Sequence, residues 1–167
     1  MNTTSQKQSR LISLENSLKK KVGSGGIPAH LLQEAQIYID ENPAEFKEDG
    51  LEILKGIQKT LAQFETAPQD KHPALLEELI SDVMVLKAHG AMFHYELVSM
   101  IADVLLDFLE TVQTINPDVL EIIKAHNEII QMALSRQMKG NGGKEGIALS
   151  RELFKACARY YEKHETN

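Results

Sequence analysis

The chain has 167 residues, 18 of them Lys or Arg and 24 Asp or Glu, giving a formal charge of −6, with one Cys and no Trp. That length suits one domain with a real core, and 43% apolar beside 25% charged residues excludes a disordered chain. No apolar run approaches the ~18 residues of a membrane helix, a lone Cys157 cannot close an internal disulfide, and the acidic balance argues against nucleic acid as a partner.

The N-terminal run MNTTSQKQSR has no signal-peptide stretch, so a soluble, cytoplasmic protein is expected. Turn residues gather in VGSGGIP (Val22 to Pro28), ENP (Glu41 to Pro43), Ala67 to Pro73, Asn116–Pro117 and KGNGGKEG (Lys139 to Gly146). Between these joints the apolar spacing is helical, and no run alternates over a strand length. The expectation is all-α: an antiparallel bundle of six to seven helices, near 8–21, 28–41, 44–66, 73–92, 95–114, 117–138 and 145–163. Residues 1–25 carry five basic groups and one acidic, and read as a basic arm before a single bundle domain over 26–167.

Start and stop signals support these spans. Pro28, Pro43, Pro73 and Pro117 stand near first turns, where a missing N–H costs nothing. Asn42 and Asn116 precede two helices as N-caps. Gly140, Gly142 and Gly143 are expected to stop the 117–138 helix in left-handed geometry.

The helices at 73–92 and 95–114 are the most apolar part of the chain. Leu76, Leu79, Val83, Leu86, Gly90 and Phe93 form one stripe, and Val98, Ile101, Leu105, Phe108 and Val112 another. Glu96, Asp103, Asp107 and Glu110 make an acidic, solvated face on the second helix. With a turn only near His94–Tyr95, the pair is expected to pack as an antiparallel hairpin at the centre of the bundle.

The run MVLKAHGAMFHYELVSMIADVLLDFLE (Met84 to Glu110) resembles the signature region of histidine phosphotransfer (Hpt) domains. That region has a His-x-Leu-Lys-Gly core, small residues, a short turn and a second helix often ending in Leu-Glu. Here Leu86–Lys87 match the core Leu-Lys, Ala88 stands for its Gly, Gly90 and Ala91 are the small residues, and Leu109–Glu110 the closing pair. Met84 occupies the place of the phosphorylated histidine, and methionine accepts no phosphoryl group. His94 stands near the place of the turn glycine. The resemblance implies a helical signalling or adaptor protein that binds a response-regulator receiver domain or histidine kinase, with or without phosphotransfer. Lys87, Ala88, Gly90, Ala91 and His94 would form the partner-binding surface, shallow and positive-edged. His89, off the main stripe, is the remaining phosphoacceptor candidate.

The other histidines read more simply. His94 is placed to cap its helix by charge, and His126 falls on the stripe Val119, Ile122, Ile123, Ile130, which makes it a hydrogen-bonded core residue. No HExxH or ExxH pair occurs, so no metal and no cofactor are expected. Lys139, Gly142, Gly143 and Lys144, opening the last helix, form a loose anion-binding candidate, although GGKE departs from the Walker pattern. The last helix has two apolar sides. Leu149, Leu153, Ala156, Cys157 and Tyr160 make one; Ile147, Phe154, Ala158 and Tyr161 make the other, beside a basic ridge of Arg151, Lys155 and Arg159. Such a helix bridges two neighbours or closes a homodimer. With no nucleophile–base pair at motif spacing, the chain reads as non-enzymatic. The alternative to the signalling reading is a helical scaffold with an unrelated protein partner.

Overall fold

The computed structural model of the chain describes residues 26–41, 43–112 and 114–164. The helix expected over 8–21 and the Asn42 cap lie outside the described residues. Six α-helices occur among the described residues: α1 (Ala29–Glu41), α2 (Pro43–Thr66), α3 (His72–Met92), α4 (Glu96–Thr111), α5 (Pro117–Ser135) and α6 (Gly143–His164), with a 3₁₀ turn at Gln69–Lys71 before α3. These residues hold no strand, and none of their helices is long and apolar enough to cross a membrane.

The chain divides into two compact units, Met1–Ile37 and Tyr38–Asn167. The division thus falls inside α1, twelve residues beyond the glycine-rich joint that the sequence suggested. α1 buries none of its side chains, and Ile27, Leu31 and Leu32 before and on it are exposed.

In the second unit α2, α3, α4 and α5 pack in a closed ring of neighbours, α2 on α3, α3 on α4, α4 on α5 and α5 on α2. Short loops between successive helices make this an up-and-down four-helix bundle. α6 lies in the groove between α4 and α5. The core follows from the spacing: Leu54, Ile57, Leu61 and Phe64 from α2, Leu79, Val83 and Leu86 from α3, and Val119, Ile123, Ile130 and Leu134 from α5 are all buried. α4 contributes most, with Leu97, Val98, Ile101, Leu105, Phe108 and Leu109 buried and its acidic stripe facing water. α6 buries the narrow line Gly146, Ser150, Leu153 and Cys157.

The helix ends correct two expectations. α5 stops at Ser135, well before the glycines, because Gln137 takes the left-handed conformation (φ 51°). Its amide donates to Leu134 O (3.1 Å) and that of Met138 to Ala133 O (2.9 Å), a full Schellman closure without glycine. His94 stands just past the end of α3, as expected. It is itself the left-handed residue (φ 62°) after Phe93, with Tyr95 N–H returning to Gly90 O at 2.7 Å. α4 ends at Thr111 rather than near 114. The Thr111 hydroxyl bonds Phe108 O, and Asn116, extended ahead of Pro117, caps α5 by accepting from Val119 N–H at 3.0 Å.

Candidate functional site

The α3–α4 hairpin closes tightly because of Gly90. A Cβ built there would stand 2.9 Å from Ser99 N and 3.2 Å from Tyr95 O, so the α4 backbone occupies the space of a side chain. Gly90 is buried. Its role is helix approach, which corrects its assignment to the partner-binding surface.

On the outer side of the hairpin the small residues of α3 leave a shallow depression of about 410 Å³. Met84, Lys87, Ala88 and Ala91 of α3 line it, facing Ser99, Leu106, Asp107 and Glu110 of α4. Met84 is 57% exposed and Met92 45%, with Val85 beside them at 37%. A row Met84, Ala88, Ala91/Met92 therefore runs along the water-facing side of a helix whose other side fills the core. Glu77, Glu78, Ser81 and Asp82 keep the outer side of the first half of α3 polar, whereas its second half is apolar on the outer side as well, the pattern of a segment with something to bury on both sides.

Charge on this face is also redistributed. Lys87 pairs with Asp103 across the hairpin, and that hydrogen bond, reinforced by Asp103, Asp107 and Glu110, raises the lysine pKa. The expected positive edge is therefore neutralised, and the rim is acidic. These α4 carboxylates read from the sequence as a solvated face; their i,i+4,i+7 spacing toward α3 was the signal that they frame a site.

The remaining candidates lie elsewhere. His89 sits roughly 140° round α3 from Met84. Rather than standing free on a flank, it is half-buried, edge-on to Phe46 at 6.0 Å and Phe93 at 6.1 Å, because α2 covers it. Its Nδ1 is buried without a hydrogen-bond partner. His94, at the turn, bonds Asp40 through Nε2 at 2.9 Å and does not line the depression. Of the surface inferred from sequence, Lys87, Ala88 and Ala91 come together; Gly90, His89 and His94 do not join them.

The glycine-rich loop is spent on packing. Gly140 accepts from Leu97 N–H (2.9 Å) and donates to His94 O (2.8 Å), which ties the loop to the α3–α4 turn. Gly143 N–H is taken by Asn141 Oδ1 (2.9 Å) and Gly146 N–H by Gly142 O (3.0 Å). A Cβ on Gly142 would meet Leu97 Cδ2 at 2.8 Å. Lys139 reaches the Tyr95 ring, 5.9 Å from its centroid, and Lys144 is exposed. Several amides that an anion would need are thus already engaged.

Other reactive groups are internal. Burial pushes the Cys157 thiol up to about 11, which keeps it protonated. His126 is fully buried; Nδ1 bonds Ile122 O at 2.7 Å and Nε2 has no partner. No group of three or more His, Cys, Asp or Glu able to hold a metal ion occurs among the described residues. Nor does the chain match a family model, a curated protein or a solved structure.

Proposed function

We propose that this chain is a non-enzymatic adaptor, an Hpt-like helical bundle that binds a receiver domain or histidine kinase through the Met84 face of the α3–α4 hairpin without accepting a phosphoryl group. The observation that carries the reading is the exposure of Met84 at mid-helix, where the resembling domains hold their phosphohistidine, beside Lys87 and the small Ala88 and Ala91. Small residues let a partner's loop approach the helix closely, and methionine adapts its shape to an apolar knob. The acidic rim of Asp103, Asp107 and Glu110 sets the partner's chemistry: an apolar centre with a basic edge. His89, packed against Phe46 and Phe93, is poorly placed for in-line attack on a partner's phosphoaspartate.

The test combines titration calorimetry with transfer of labelled phosphate, using the phosphorylated receiver domains and kinases of the source organism. Stoichiometric binding without label on the chain is expected. Met84→Glu should weaken it by at least tenfold, since a charge would be buried in an apolar contact, while His89→Ala should leave it unchanged. Label appearing on the chain and vanishing in His89→Ala overturns the adaptor reading, as does the absence of binding to every candidate.

A further inference from the structure

α6 carries a second uncovered stripe. Its inner line is buried on α4 and α5, but Phe154 is 61% exposed and Ile147 40%. Both lie on one flank of the helix, roughly 80° round from the buried line, with the exposed Arg151 one turn from each and Lys155 next to Phe154. The field there is positive: hydrogen bonding from Lys155, with Arg159 and Arg151 nearby, holds Glu152 below its ordinary value. The Met84 face has the reverse arrangement, an apolar row within an acidic rim, where the neighbouring carboxylates raise Lys87. One molecule thus presents two exposed apolar stripes in surroundings of opposite charge. α3 and α6 both pack on α4.

We propose that the chain self-associates head to tail, α6 of one copy laying Phe154 into the Met84 depression of the next, with Arg151 and Lys155 meeting Asp107 and Glu110. Charge selects this pairing. Two Met84 faces together would set acidic rim against acidic rim, and two α6 stripes would oppose like ridges. Only the mixed contact buries both apolar rows and pairs the charges. Such a contact joins two different patches, so a copy either engages two neighbours or exchanges both contacts with one. The inference rests on the reading of the Met84 face as a protein interface and adds an occupant for it.

The experiment uses the full chain in sedimentation equilibrium. Wild type should show an average mass that rises with concentration. Met84→Glu and Phe154→Glu should each be monomeric at about 0.1 mM, with unchanged circular dichroism because both side chains are exposed. Mixed in equal amounts they should form a 1:1 pair and nothing larger, since each retains the stripe the other lacks. A wild type that stays monomeric, or a mixture that fails to pair, overturns the proposal. So does association that survives Phe154→Glu but is lost on Lys19→Glu, Lys20→Glu, Lys21→Glu, which would make the basic N-terminal segment the occupant. Loss of a receiver or kinase in Met84→Glu alongside a monomeric wild type would sink the self-association alone and leave the adaptor standing.

Discussion

His126 shows what one buried side chain does to the whole protein. Its ring lies inside the α5 stripe, bonded only to Ile122 O, and burial lowers its pKa from the usual 6.5. The folded chain therefore resists protonation that the unfolded chain accepts. Stability is complete above pH 6.5 and is lost as pH falls from there toward the depressed folded value. Asp118, pulled down from 3.8 by hydrogen bonds from Lys163 and His164, loses its contribution only at still lower pH. The urea midpoint of wild type should fall between about pH 7.5 and about pH 5. His126→Leu should flatten that slope, because it removes the titrating group together with the orphaned Nε2. An unchanged slope in the variant would place the pH dependence in other groups. The core position of His126 was legible from its spacing; the orphaned nitrogen was not, since it depends on what the other helices bring opposite it.

At the level of elements, the hairpin depends on Gly90. Glycine inside a helix ordinarily costs about 1 kcal/mol relative to alanine. Gly90→Ala should nevertheless destabilise, because the new methyl would meet the backbone of Ser99 and Tyr95, which cannot swing aside as a side chain can. Overpacking of this kind costs about 1–3 kcal/mol, so the net loss should reach up to about 2 kcal/mol, read as a lower denaturant midpoint at constant m. A gain in stability would mean the two helices are free to separate. Helix spans were readable here because Pro117, Asn116 and the apolar stripes act locally. The ends were harder: Gln137 and His94 adopt left-handed geometry that composition assigns to glycine, and the capping bonds of Met138 to Ala133 O and of Tyr95 to Gly90 O close the helices around them. Gly140, Gly142 and Gly143 were read as a helix stop or an anion loop, whereas their use is to let the loop lie against Leu97 and the α3–α4 turn.

For the whole molecule, the formal charge of −6 conceals a polarity. Residues 67–115 carry eight acidic and two basic groups, and 139–167 carry six basic and four acidic. That imbalance was visible in the sequence, but its consequence required the fold, which turns Asp107 and Glu110 outward beside Met84 and Arg151 outward beside Phe154. The two possible kinds of self-association respond to salt with opposite sign. Head-to-tail contacts gain from opposite charges, so raising the ionic strength from about 0.05 M to about 0.5 M shortens the screening length to a few Å and should weaken association severalfold. Like-on-like contacts would be relieved of repulsion and would tighten under the same change. Exchange of one pair, Asp107→Arg with Arg151→Asp, should restore in combination what either loses alone, since the attraction is reversed rather than removed. An association that strengthens with salt, or a double exchange no better than its parents, would mean that charge does not choose the pairing.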